Sequence, residues 1–294
     1  MTTAPLDDLA ALLAPLHAPF TCKSLKAPNR FCMAPMSRYF APGGVLTDDG
    51  AEYYRRRAAA GIGTIITEGT GVAIDHTVAA TLGPDLPLHV VHNGLGHAFR
   101  AGGQESPHPT IVAVGRLVPM KGFHVLLDAV ASLRDRGVRV HCTIIGDGPE
   151  RQRLLRQRSA LGLDGQVELT GALPQSAVKR HMATATLLVM PCIVTRQGSA
   201  DGIPNVLMEA MASGLPVIST TISGIPELVE DGLNGRLIEP GDPELLGDAI
   251  VELLADAARQ ERFASAGRHK VEREFNIRVE AGRLLDHFGK ACNA

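Results

Sequence analysis

Asp201 and Glu209 are two carboxylates separated by seven residues in DGIPNVLME, inside the longer run PCIVTRQGSADGIPNVLMEAMASGLPVISTTISGIPELV. The first lies just before a predicted helix and the second about a turn and a half inside it. Pro204 suits the first helical turn, where a missing N–H costs little, and Gly214 with Pro216 marks the stop. The stretch therefore reads as loop, helix, turn, strand. A helix start with free N–H groups favours an anion such as a phosphate, and nearby acidic side chains can accept hydrogen bonds from sugar hydroxyls. Together these groups suit a nucleotide sugar.

Two cations extend the pattern. Gly115, Arg116 and Lys121 lie in GRLVPMKG, a predicted turn between strand and helix. An arginine grips a diphosphate with a planar fork and a lysine adds a compact point charge, so both would face negative charge developing on a leaving nucleotide. Gly146-Asp147-Gly148-Pro149 is a tight turn that permits close backbone approach. Thr170 to Pro174 either borders a base or is a plain connection. Taken singly, each residue has an ordinary reading: Arg116 as a solvated loop residue, Asp201 as a helix cap, Glu209 as a solvated helix face. Their joint presence favours a site.

The elements that must position them alternate regularly after residue 88. LHVVHNGLGHAF gives a strand and a turn, and AGGQESPHP a polar linker. The strands TIVAVG, VRVHCTIIG, QVELTG, LLVMP, LPVIST and GRLIEP then alternate with helices. These helices are MKGFHVLLDAVASLRDRG, PERQRLLRQRSALG, QSAVKRHMATA, NVLMEAMASG, a short one near IPELVEDG, and those covering most of 243–290. Such alternation predicts an α/β fold, a Rossmann-like doubly wound parallel sheet, in a domain over 88–294. Open sheets of this kind bind ligands at the C-terminal ends of their strands, where all four loops fall.

Residues 1–87 have another character. NRFCMAPM and IGTIIT read as strands, and TDDGAEYYRRRAAAG between them as a helix with Asp48 as cap and Gly61 as stop. That is one parallel βαβ unit, and two strands do not make a domain.

Composition bounds the partners. The formal net charge of −2 and the lack of a dense basic run exclude nucleic acid and an anionic membrane as partners suggested by charge, leaving small ligands. Five scattered cysteines without a C-x-x-C pair argue against a disulfide framework and against a structural zinc site. The amino terminus carries Asp7 and Asp8 where a signal peptide would be basic, and no apolar run has the length of a membrane span. A soluble, cytoplasmic protein is expected.

Two resemblances follow from these residues. GRLVPMKG, GDGPE and ADGIPNVLMEAMASGLPVISTTISGIPELVEDGLNG resemble the C-terminal, donor-binding half of a GT-B glycosyltransferase of family 4, the retaining type that uses nucleotide-diphosphate sugars. The resemblance runs from about residue 88 to the chain end. It implies that Arg116, Lys121 and Asp201 form the catalytic set: Arg116 and Lys121 bind the donor diphosphate, and Asp201 contacts hydroxyls of the transferred sugar. Glu209 would hold the ribose, while Gly115, Gly202 and the backbone around Ile203, Pro204 and Asn205 complete the donor site. The family pattern has Glu at the first acidic position, where this chain has the shorter Asp201. No metal ligands and no cofactor are implied.

APFTCKSLKAPNRFCMAPMSRYFAPGGVLTDDGAEYYRRRAAAGIGTIITEGTGV, within about 15–87, resembles the opening of the old yellow enzyme family of flavin-dependent ene-reductases, which are β/α barrels. By that resemblance Pro35, Met36 and Ser37 end the first barrel strand in a vestigial flavin-binding position, and Glu68 to Thr70 follow the second. A barrel of this kind needs roughly 250 residues, and the later strands have no counterpart here. FMN is therefore not expected to bind. The chain thus reads as a chimera, a truncated barrel fragment in the place of an acceptor-binding domain. Its last helix, with Val279, Leu284, Leu285 and Phe288, would lack that domain as a partner. That helix and the unpaired strand edges are then routes to self-association. The leading expectation is a glycosyltransferase-like protein that binds a nucleotide sugar. A flavin oxidoreductase fragment and a non-catalytic fusion product are the alternatives.

Overall fold

Short β-branched and aliphatic runs become strands, and the longer amphipathic runs between them become helices. The structure, a computed structural model, describes residues 14, 16–22, 25–29, 32–33, 55–57, 59–60, 64–65, 109–280 and 282. By its Cα framework the chain divides into two units, 1–91 with 281–294, and 92–280. In the first, β1 (Phe20–Cys22) and β2 (Leu25–Ala27) pair antiparallel, a hairpin that the sequence reading does not anticipate. Strands β3 (Cys32–Met33) and β4 (Thr64–Ile65) pair in parallel, with Cys32 opposite Thr64, and residues 55–57 between them are helical. Pro35, Met36, Ser37, Asp48, Gly61, Glu68 to Thr70, the predicted strand of residues 88–99 and Leu284, Leu285 and Phe288 lie outside the described residues.

The second unit holds the alternating elements. In chain order they begin with β5 (Thr110–Val114), α1 (Phe123–Asp135), β6 (His141–Ile145), α2 (Arg151–Ala160), β7 (Val167–Gly171) and α3 (Gln175–Thr184). They continue with β8 (Leu187–Val189), α4 (Asn205–Ala212), β9 (Val217–Thr220), α5 (Ile225–Leu228), β10 (Arg236–Ile238), α6 (Pro243–Ala255) and α7 (Ala257–Glu274).

The six strands form one parallel sheet in the order β10-β9-β8-β5-β6-β7. The chain starts in the middle with β5, steps outward through β6 to β7, and returns to the other side of β5 for β8, β9 and β10. The direction of stepping thus reverses between β5 and β8, which are hydrogen-bonded neighbours with Ile111 opposite Leu187. Loops leaving these two strands diverge and open a crevice at their C-terminal ends.

Both central strands are apolar along their length. Ile111, Val112 and Ala113 of β5 and Leu187, Leu188 and Val189 of β8 are all buried, as expected of parallel strands covered on both faces. Around the sheet α1 packs against α2 and α6, while α7 packs against α4 and α6. Asp242 caps α6 by accepting from the Glu244 and Leu245 amides (2.9 and 3.1 Å), and Pro243 follows as its first residue.

One helix differs from the sequence expectation in a way that bears on the site. The pattern MKGFHVLLDAVASLRDRG predicts a continuous helix from Met120. Instead Pro119–Lys121 is a separate 3-10 turn, and α1 starts after Gly122. Gly122 adopts a left-handed φ of 68°, and a Cβ there would lie 1.8 Å from the Pro191 carbonyl oxygen. Only glycine lets the loop after β5 approach the loop after β8 so closely. Gly122→Ala should therefore cost about 2 kcal/mol or more of stability, read from urea denaturation. An unchanged midpoint would show that the two loops can separate freely.

Candidate functional site

Lys121 leaves the end of the 3-10 turn and its ammonium forms an ion pair with the Asp201 carboxylate. The contact joins the loop after β5 to the loop after β8, across the crevice. Its lysine stem runs along Gly115, where an added Cβ would meet Lys121 Cε at 3.4 Å. The pair is well enclosed, with side-chain exposures of 15% for Lys121 and 23% for Asp201. Asp201 Oδ2 is the buried oxygen that faces the ammonium, which offsets its charge.

The base of the loop after β5 is braced by its neighbours. Gly115 N donates to Ile145 O (2.9 Å), Leu117 N to Asp147 O (2.9 Å), and Glu150 N to Leu117 O (3.0 Å). Gly146 has no space for a side chain, since a Cβ would sit 1.9 Å from Gly115 O. Its amide also donates to Gly171 O (2.9 Å), which ties in the third predicted loop. In this structure Gly146 to Pro149 is a brace for Arg116 and Lys121. Arg116 itself is exposed, and its side chain makes no hydrogen bond or ion pair among the described residues.

On the other side, the residues from Asp201 lead directly into α4. Gly202 is exposed, Ile203 lies against Gly224, Pro204 is the N-cap with ψ 120°, and Asn205 is the first helical residue. The helix thus begins one residue later than Pro204. No side chain caps it, so its first amides remain open to a ligand. With the positive end of its dipole it is an anion site of the ordinary kind.

Glu209 lies one turn inside α4 and is half-buried. Desolvation pushes its carboxyl above the usual glutamate range, while the charge of Lys179 on α3 pulls it back. Cys192 sits near the ion pair. Burial, with Asp201's charge, pushes its thiol up to about 12, so at neutral pH it is an uncharged wall and not a nucleophile. Among the described residues no group of three or more His, Cys, Asp or Glu could hold a metal ion, and no helix is long and apolar enough to cross a membrane.

The structure adds three features that sequence reasoning missed. Lys179 comes from the middle of α3, away from all four loops, and nothing in its local pattern marks it. Cys192 is unremarkable in sequence. Ser223, between β9 and α5, has a left-handed φ of 51°, a strained choice for a residue with a Cβ, next to the Gly224 that Ile203 contacts. The Ser-Gly pair after a strand was a usable turn signal.

The chain resembles known proteins in sequence and in fold. The family model described as glycosyl transferases group 1 matches residues 108–256, and that of the NADH:flavin oxidoreductase / NADH oxidase family matches residues 15–82. The amylovoran biosynthesis glycosyltransferase AmsK of Erwinia amylovora is 36% identical over 60% of this chain and 43% of its own length. A GDP-mannose-dependent alpha-(1-6)-phosphatidylinositol monomannoside mannosyltransferase of Mycolicibacterium smegmatis is 34% identical over 60% of this chain and 47% of its own. The chain thus spans less than half the length of these relatives. Among solved structures, that of Anabaena HepE in complex with UDP-glucose matches with a TM-score of 0.56 at 21% identity, covering 84% of this chain and 63% of that one. That likeness is one of fold, and the six-stranded parallel sheet with flanking helices is the Rossmann-like arrangement of GT-B glycosyltransferases.

The electrostatics of Glu209 can be measured directly. In a carbon-detected NMR titration its carboxyl should ionise above the ordinary glutamate value, and Lys179→Met should raise it further by removing the positive charge. Because the folded-state value is raised, ionised Glu209 costs stability once pH rises through that value. Glu209→Gln should then raise the urea midpoint at pH 7 and leave it unchanged below about pH 4.

Proposed function

Because the chain belongs to the glycosyl transferases group 1, we propose that its 88–294 part binds a nucleoside-diphosphate sugar in the crevice between β5 and β8, for retaining glycosyl transfer without a metal ion. The observation that supports this reading is the Lys121–Asp201 contact, in which a cation suited to phosphate meets a carboxylate suited to sugar hydroxyls, with an uncapped helix start following Asp201 in sequence. Arg116 and Lys121 hold the diphosphate, and Asp201 accepts hydrogen bonds from the transferred sugar. The amides at the start of α4 receive the phosphate oxygens, and Glu209 accepts from the ribose hydroxyls. When the bond between the anomeric carbon and the phosphate oxygen breaks, negative charge collects on the departing nucleoside diphosphate. Fixed cations and a helix N-terminus stabilise it there, which is the work a divalent ion would otherwise do. Relatives that name GDP-mannose and a fold neighbour that holds UDP-glucose support the donor class.

In this reading the acceptor is bound by a partner domain that the 15–82 segment does not supply. That segment matches the flavin family over 68 residues, far short of the roughly 250 a barrel needs. We take it as a non-catalytic appendage to the donor domain.

Calorimetric titration with UDP-, GDP- and ADP-sugars should find at least one that binds, with unchanged affinity after EDTA treatment. Arg116→Ala combined with Lys121→Ala should weaken it by more than about tenfold. Binding that ignores the double substitution, or no binding of any of the three, removes the proposal. The purified chain should also be colourless and fail to acquire a visible flavin absorption band when incubated with FMN. A yellow protein would restore the oxidoreductase reading.

A further inference from the structure

Lys121 and Asp201 have opposite assignments in the proposed donor site, one toward phosphate and one toward sugar, yet in the structure each neutralises the other. Resting on that reading, we propose that this ion pair selects a nucleotide that still carries its sugar over the bare nucleoside diphosphate, and so favours release of the spent nucleotide.

A diphosphate that draws the Lys121 ammonium to itself withdraws it from Asp201. Asp201 Oδ2 is buried and its side chain is only 23% exposed, so a carboxylate that loses the ammonium is poorly hydrated. The result is a partly desolvated carboxylate beside the incoming negative charge, and unpaired buried charge is costly. Sugar hydroxyls offset that cost, because each donates a hydrogen bond to the carboxylate. A bare nucleoside diphosphate brings only acceptor oxygens to the same place. The nearby Cys192 thiol does not substitute, being uncharged and a weak donor.

The stem of Lys121 lies along Gly115, and its ammonium is the free end of a flexible chain that can exchange partners. Arg116 is different. Exposed and without a side-chain partner among the described residues, it attracts any diphosphate equally and confers no such preference. Once the sugar has left, the hydroxyls are gone, Asp201 again lacks a partner, and reforming the ion pair opposes retention of the product.

The test is a set of calorimetric affinities for the nucleoside diphosphate and for its sugar conjugate, using whichever base binds. They are measured on the full chain as wild type, Asp201→Asn, Lys121→Gln and the double variant. Asp201→Asn should tighten the bare diphosphate about tenfold while leaving the sugar conjugate equal or weaker, so that the preference for the conjugate falls by at least about tenfold, or about 1.4 kcal/mol. In the Lys121→Gln background the gain should largely vanish, because there is no pair to break. If Asp201→Asn binds the diphosphate no better, or gains equally with and without Lys121, the inference is overturned; the second result would mean plain repulsion. Asp201→Ala serves as the replicate if the amide variant does not fold, with the same outcomes deciding. Wild-type protein that binds no nucleotide overturns the donor reading and this inference together. Binding with an unaltered preference overturns this inference alone.

Discussion

The reversal of strand order between β5 and β8 is the constraint from which the rest of the site follows. Two adjacent parallel strands send their chains to opposite sides, and the space between the diverging loops cannot be filled by either. The chain places a cation on one rim and a carboxylate on the other. Their mutual attraction, in a place where both side chains are largely shielded from water, ties the two rims together.

Glycine is what makes the charges meet. Gly122 lets the loop after β5 pass against the Pro191 carbonyl, and Gly146 lets the next loop lie against Gly115. At both points a methyl group would collide with backbone, which cannot turn aside as a side chain can. The loops after β5, β6 and β7 are consequently linked by backbone hydrogen bonds from Gly115, Leu117, Gly146 and Glu150. A loop held in this way has little backbone freedom left to lose, which is what preorganisation of the proposed donor site would require. The strain at Ser223 belongs with the same economy of space, since its neighbour Gly224 receives Ile203 from the loop that carries Asp201.

The N-terminal residues obey a different logic. A parallel pair such as β3 and β4 needs a crossover and, in a complete fold, further strands beside it. Its match to the flavin oxidoreductases covers residues 15–82, whereas the glycosyltransferase match begins at 108, so the two likenesses do not overlap along the chain.

The sequence by itself determined the fold class of residues 109–280. Apolar strand runs such as TIVAV and LLV, separated by amphipathic helices, have essentially one way to bury their surfaces. It also marked the four loops and the residues Arg116, Lys121, Asp201 and Glu209, because glycine, proline and charge at strand ends are local signals. The break at Gly122 was not legible, since it depends on the Pro191 carbonyl, 69 residues further on. The influence of Lys179 on Glu209 was hidden for the same reason, as were the nearness of Cys192 to the ion pair and the pairing of Lys121 with Asp201 itself. Spacing along a chain reports which face of an element a residue occupies. Which distant residue comes to share that space is decided only when strand order brings the elements together, and here it was the return of β8 to the side of β5 that decided it.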